Sequence, residues 1–263
     1  MDVGTSSYYD YLNGSRTKVI DQEIERRVIT IFGQHKRRYG SRRIVSELED
    51  QGIKIGRQRV QSVLRRNSLQ AIQPKSFVPK TTTAGGNKRS SNLLLEYGSI
   101  IELNRVWVGD ITYLPLKNNT WCYLATWMDL KSRRIIGWGV EEHMEAGLVI
   151  DAFNQAEYRR SPEQGLIVHS DGGGQYGSKK FRSILSKRKY RQSMTRKNNH
   201  YDNAHAESLF SRIKSELFEG GSFLNVEDAR TECFDYIEGY YNTQRKHSSL
   251  GYKTPLQFES EME

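Results

Sequence analysis

Cysteine is almost absent: Cys122 and Cys233 are the only two in 263 residues, so the chain carries neither a disulfide framework nor the spacing of a zinc site. The N-terminal third has one histidine, His35, and no cysteine, which excludes a zinc-binding domain there. No run approaches the ~20 apolar residues that cross a bilayer. The start, Met1-Asp2-Val3-Gly4, lacks the basic and apolar regions of a signal peptide. Gly172-Gly173-Gly174 lacks the G-K-[ST] ending of a P-loop, and no ATP-binding motif or internal repeat is present. Aromatic bulk is plentiful: nine Phe, fifteen Tyr and four Trp supply a core although only 36% of the chain is hydrophobic. A soluble cytosolic or nucleoid-associated protein is the expectation that remains.

Positive charge is unevenly spread. Residues 1–92 hold 18 Lys+Arg and 8 Asp+Glu, a balance of +10; the remaining 171 residues hold 22 and 23, a balance of −1. A basic module beside a neutral one suggests a polyanion-binding unit attached to something else; a solvated basic surface is the alternative.

The basic third reads as helices. From Asp21, the residues Ile24, Val28, Ile29 and Ile31-Phe32 follow helical spacing. Gly40-Ser41 breaks the chain and supplies a cap before 42–50, with Ile44, Val45 and Leu48 apolar, and a second short helix covers 57–66 with Val60, Val63 and Leu64 inward. Two short helices around a glycine-containing turn fit a helix-turn-helix unit, although any small three-helix domain shows this pattern. The second helix carries Arg57, Gln58, Arg59, Gln61, Arg65 and Arg66 off its apolar stripe, a groove-reading surface. Residues 71–92, with two Pro, a Thr run, Gly-Gly and Ser-Ser, have linker composition. The expected division is a helix-turn-helix DNA-binding domain over 1–70, a basic linker over 71–100 and a catalytic core with C-terminal helices over 101–263.

Beyond the linker, 106–116, 120–130 and 134–140 are three consecutive β-rich runs. A helix (144–159), a short strand (166–169), a glycine loop, a basic helix (178–188), a short strand (190–194) and helices over 202–218 and 226–241 follow. This is an α/β order with a mixed five-stranded sheet and flanking helices, the order of an RNase H-like fold.

Three acids sit at element ends in that order. Asp110 lies inside a strand in W-V-G-D-I-T-Y (107–113), Asp171 directly follows the fourth strand in H-S-D-G-G-G-Q-Y (169–176), and Glu207 is one turn into the helix D-N-A-H-A-E-S-L-F-S-R-I-K (202–214). A carboxylate in an apolar strand is expensive unless it is paired or holds a metal. If strands one and four are neighbours, about 4.8 Å apart, Asp110 and Asp171 reach one cation. Glu207 borders a buried stripe of Ala206, Leu209, Phe210, Ile213 and Leu217, so it can face the sheet edge. All-oxygen ligands favour Mg²⁺ or Mn²⁺, and two such ions would clamp both oxygens of a phosphodiester displacement. Taken singly, Asp171 could cap a turn and Glu207 could be a surface residue; a strand Asp is harder to explain that way.

Between Asp110 and Asp171 lie 60 residues, and between Asp171 and Glu207 lie 35. Two aspartates, then 35 residues, then a glutamate resembles the retroviral-type integrase core and its bacterial transposase relatives. The words quoted above, with M-D-L-K-S-R-R-I-I-G-W (128–138), Y-N-T-Q-R-K-H-S-S-L-G-Y-K-T-P (241–255) and R-R-Y-G-S-R-R-I (37–44), are similar to the "IS-three" family of insertion-sequence transposases. The resemblance covers about residues 5–258.

The resemblance implies a catalytic, metal-binding triad of Asp110, Asp171 and Glu207, with Mg²⁺ as the cofactor (two ions, Mn²⁺ substituting). It places the family's lysine, a contact to transposon-end DNA, at Lys214. It implies metal-dependent cleavage at transposon ends and transfer of the 3′-hydroxyl into DNA, through a figure-eight and circular intermediate. The partners are double-stranded DNA, both ends and target, and a homo-oligomer, a dimer on paired ends. The chain begins where the family's second reading frame begins, so the upstream helix-turn-helix and leucine-zipper product of the first frame is a possible partner. The loop before the last acid reads K-N-N-H-Y (197–201), where the family more often has glycine. A plain RNase H-type nuclease and a DNA-binding regulator with an inactive core are the rivals.

Other residues carry plainer expectations. Trp107, Trp121, Trp127 and Trp138 fall on strands and should pack in the core, one of them alternatively stacking on a base. His169 should orient its strand end by a hydrogen bond, or touch a phosphate. His205 points away from Glu207. The cluster of Lys179, Lys180, Arg182, Lys187, Arg188, Lys189 and Arg191 is read as a DNA contact rather than a solvated face, with Lys179 and Lys180 foremost.

Overall fold

A computed structural model describes residues 21–73, 90–96, 102–196, 204–218 and 221–262. It divides into two units, 1–73 and 74–263. Among the described residues no helix is long and apolar enough to cross a membrane.

In the first unit, helix α1 runs over 21–34 and buries Ile24, Val28, Ile31 and Phe32 at helical spacing, while Ile29 stays exposed. Helices α2 (Ser41–Asp50) and α3 (Arg57–Arg66) close the core with Ile44, Leu48, Val60, Val63 and Leu64. The cap of α2 is Gly40, without a side-chain bond. Ser41 is instead the first helical residue, and its Oγ accepts from Arg57 Nε at 3.3 Å. Gly52, with φ +78, makes the left-handed turn between the two helices that a residue with a Cβ would strain. Tyr39 is fully buried and stacks on His35, centroids 3.6 Å apart.

The second unit is built on five strands: β1 (Val106–Pro115), β2 (Trp121–Asp129), β3 (Ile135–Glu141), β4 (Ile167–Ser170) and β5 (Arg191–Met194), in the order β3-β2-β1-β4-β5. The first three form an antiparallel meander; β4 and β5 join parallel to β1. Helices α4 (Ala146–Arg160) and α5 (Lys179–Lys187) cover one face over Trp107, Trp127, Phe153, Tyr176 and Phe181. Trp127 is the hub, with ring centroids 5.3 Å from Phe153 and 5.8 Å from both Tyr176 and Phe181, and its Nε1 donates to the Val149 carbonyl. Two glycines make that packing possible. A Cβ on Gly109 would lie 2.5 Å from the Trp127 ring, and one on Gly137 would lie 2.1 Å from the Ala152 carbonyl of α4.

Helices α6 (Ala204–Phe218) and α7 (Val226–Tyr236) pack on β1 and β3 respectively. The helix expected over 226–241 ends as α-helix at Tyr236 and continues as a π turn over Ile237–Tyr241. An arm follows it, ending in α8 (Pro255–Ser260), which opens on a Thr254/Gln257 capping box. Within the arm, the Asn242 side chain donates to the Ile135 carbonyl at 2.9 Å and accepts from its N–H at 3.0 Å. It thus pairs edge strand β3 where a further strand would attach. The RNase H-like α/β core and the preceding helix-turn-helix unit are the architecture the sequence led us to expect.

Candidate active site

The two aspartates are brought together by strand register. Parallel pairing of β1 with β4 matches Val106 to Ile167 and ends at Gly109 opposite Ser170. One residue further along each chain come Asp110 and Asp171, both half-buried. Asp110 Oδ1 accepts from the Ile111 N–H at 2.8 Å, and Asp171 Oδ1 from the Gly173 N–H at 2.9 Å. Gly173 allows that turn: a Cβ there would stand 2.9 Å from the same Oδ1. Near them is the buried Tyr176, whose phenol is pushed well above its ordinary range, first by burial and then by the charges of Asp110 and Asp171. One hydroxyl senses both carboxylates.

Helix α6 supplies the third side. It buries Leu209, Phe210 and Ile213, while Leu217 is only half-buried. Glu207 is carried in this helix, but its side chain, like those of His205 and Ala206, lies outside the described residues, as does the 197–201 loop. Lys214, seven residues further on, is half-buried with Nζ 5.0 Å from the Tyr113 ring centroid. Burial lowers the pKa of its ammonium, and the nearby charge of Asp110 partly restores it. Among the described residues, no three His, Cys, Asp or Glu side chains are grouped to hold a metal ion; Glu207 is not one of those residues. Asp110 and Asp171 offer oxygen donors alone, which suit a hard divalent cation.

The remaining expectations divide. His169 is fully buried, its Nδ1 2.8 Å from Ser193 Oγ on β5, so it ties two strand ends rather than facing a phosphate. Trp107 and Trp127 are core. Trp138 is half-buried and donates through Nε1 to Glu238 at 2.9 Å, and Trp121, expected inside, is 45% exposed at the start of β2. Lys179, Lys180, Lys187, Lys189 and Arg191 are exposed. Arg188 is partly drawn inward: it pairs with Glu157 at 2.6 Å and lies over the Phe153 ring, with its side chain still 34% exposed.

On α3, Arg57, Arg59, Arg65 and Arg66 are all exposed. Arg59 pairs with Asp21, and Arg66 with Glu25 at 3.6 Å, both acids of α1. Sequence reasoning missed these partners, although two acids four residues apart on one helix were a readable signal. It also missed Tyr113 and Tyr176, which carry no pattern of their own.

Comparison with known proteins bears on the domains of the chain. Residues 102–200 and 188–255 match families described as integrase core domains, and residues 20–77 match an HTH-like domain. The transposase for insertion sequence element IS904 of Lactococcus lactis is 39% identical over 90% of this chain and 96% of its own. Transposase InsF for insertion sequence IS3A of Escherichia coli is 40% identical over 89% of this chain and 81% of its own. Among solved structures, a simian T-cell lymphotropic virus intasome matches at 16% identity and TM-score 0.49 over 78% of this chain and 66% of its own. The HTLV-2 integrase catalytic core in complex with magnesium matches at 18% identity and TM-score 0.44 over 59% of this chain and 95% of its own. On the identity and coverage shared with IS904 and InsF, the chain belongs to the IS3 family of insertion-sequence transposases.

Proposed function

We propose that Asp110, Asp171 and Glu207 are the metal ligands of this transposase, and that its cofactor is Mg²⁺, as two ions, with Mn²⁺ able to substitute. The observation that carries the reading is the register of β1 on β4, which sets two carboxylates side by side at adjacent strand positions. When bound, the ions would polarise the phosphodiester and offset the charge on its attacking and leaving oxygens.

The chain's own residues do the rest. Asp110 is set by the strand and its Ile111 N–H bond, and Asp171 by its turn, so their oxygens need little reorganisation. Glu207 completes the set from α6. Lys214, held over Tyr113, takes a phosphate near the cleaved end. Lys179 and Lys180, at the start of α5, hold the backbone of flanking DNA. In the first step water displaces the 3′ oxygen at the transposon end, breaking one P–O bond as another forms. In the second, the freed 3′-hydroxyl attacks a target phosphodiester, so one P–O bond is exchanged for another without external energy.

Residues 1–70 are the duplex-binding domain, joined through 71–100 to the core, 101–263. Arg57, Arg59, Arg65 and Arg66 are its groove-facing residues, and binding exchanges the Asp21 and Glu25 partners for phosphates or base edges. The working form is a dimer on paired ends, associated with the nucleoid, with an upstream first-frame product as a further partner. The test is a gel of labelled transposon-end DNA incubated with the protein and Mg²⁺. Joined products are expected. Nicked products alone would indicate a nuclease, and binding without cleavage a regulator.

A further inference from the structure

The segment Y-N-T-Q-R-K-H (241–247) has no part in the chemistry above, yet it contains a deeply buried cation. Arg245 and Glu216 are 2% and 5% exposed. The guanidinium meets the carboxylate as a two-pronged fork, Nε to Oε2 and Nη2 to Oε1, each at 2.7 Å. The Tyr236 hydroxyl donates to the same Oε2 at 3.0 Å. Arg245 lies over the Tyr241 ring, and its Nη1 is 3.3 Å from His247 Nε2. Burial disfavours the charge on Arg245, but the bonds and charge of Glu216 outweigh it and hold the guanidinium more firmly protonated than usual.

What this fork joins is informative. Glu216 belongs to α6, two residues after Lys214 and nine after Glu207. Nine residues is about two and a half helical turns, so positions 207 and 216 lie on opposite sides of the helix axis, about 13 Å apart along it. The arm that bears Arg245 is fastened to the sheet at its other end, by Asn242 on Ile135 and by the Tyr241 hydroxyl on the Arg133 carbonyl at 3.1 Å. An apolar stripe such as Leu209, Phe210 and Ile213 can roll against its neighbours. A planar fork with two fixed hydrogen-bond directions resists rolling.

We infer that Arg245 is a positioning residue for strand transfer: with Glu216 it holds α6 from behind at one rotation, and so sets where positions 207 and 214 stand relative to Asp110 and Asp171. The inference rests on the reading of Glu207 as the third ligand. A pair kept for stability alone makes a different prediction, because replacing both partners of a buried ion pair by apolar residues of similar size is often neutral or stabilising.

The experiment titrates Mg²⁺ and Mn²⁺ in the joining reaction of the full chain, with thermal melting measured in parallel. Three variants are compared: Arg245→Lys, the double variant Glu216→Leu/Arg245→Met, and Val149→Ala on α4 as a destabilised control. Both pair variants are expected to raise the Mg²⁺ needed for half-maximal joining at least five-fold. Mn²⁺ should recover most of the loss, because Mg²⁺ demands near-ideal octahedral geometry and Mn²⁺ is the substitute ion of this site. Val149→Ala should lower the melting temperature without moving the metal requirement. A double variant with wild-type metal requirement and rate would overturn the proposal. So would a metal requirement that simply follows melting temperature across all three variants. Should the double variant fail to fold, Arg245→Lys decides alone, since it keeps the charge and loses the fork. Wild-type protein that shows no metal-dependent joining would instead overturn the functional reading itself.

Discussion

Both units carry exposed ion pairs, but among the described residues the sheet unit also buries some deeply. In the helical unit, the side chains of Arg59 and Arg66 remain 47% and 64% exposed while paired with acids of α1. In the sheet unit, Arg245 and Glu216 are sealed together, and Glu259, a 4% exposed side chain, is gripped by Arg134 and Arg160. Exposed pairs contribute only about 0–1 kcal/mol and exchange readily with water or another anion. A buried pair that loses one partner is destabilised by about 3–5 kcal/mol, because the remaining charge has no solvent. On the proposed reading, charge lent to DNA is kept at the surface, and charge that holds a shape is buried.

The comparison can be broken at several levels. The largest effect should follow from the three proposed metal ligands. Asp110→Asn, Asp171→Asn and Glu207→Gln are each expected to abolish cleavage and joining in the gel while DNA binding by mobility shift stays near wild type. Any one that kept near-wild-type joining with Mg²⁺ would be struck from the ligand set. Next comes Arg245→Met alone, which strands Glu216 in the core and should reduce unfolding free energy by about 3–5 kcal/mol in a denaturant titration. A loss below about 1 kcal/mol would mean that the site is wetter than its burial indicates.

Removing residues 1–70 should leave a core that still melts cooperatively, but binds duplex DNA more weakly and with a shallower salt dependence. An unchanged slope would move the main DNA surface to α5 and its neighbours. Smaller again is Arg59→Ala, with an expected stability change within about 1 kcal/mol and a salt slope reduced by about one unit, the signature of a single lost phosphate contact. Lys214→Ala separates the two regimes in one residue, since Lys214 is half-buried yet proposed to touch DNA. Its joining activity should fall sharply with the melting temperature unchanged. A slightly lower melting temperature with normal activity would make it only a helix-supporting lysine.

Much of this is legible in the sequence alone, for local reasons. Runs rich in β-formers located the strands, and glycine and linker composition separated the two units. Asp110 stood out because a carboxylate in an apolar strand requires an explanation. Trp121 was misplaced because strand aromatics usually pack, whereas this one begins its strand beside the 117–120 turn and only part of its ring is covered. Arg188 was grouped with its basic neighbours because charge patterning reads only along the chain; Glu157, its partner, comes from the preceding helix.

By itself the sequence determined the order of elements, the division of charge between the units, the family and the three candidate acids, because each of these is written in local periodicity, composition and spacing. Only the tertiary structure decided that Gly109 and Ser170 end one ladder so that Asp110 and Asp171 stand abreast, that Asp21 and Glu25 share the arginines of α3, and that Arg245 meets Glu216 across 29 positions of chain. Those pairings depend on which surfaces the packed core brings within hydrogen-bond reach, and chain separation carries no information about that distance once the backbone has turned.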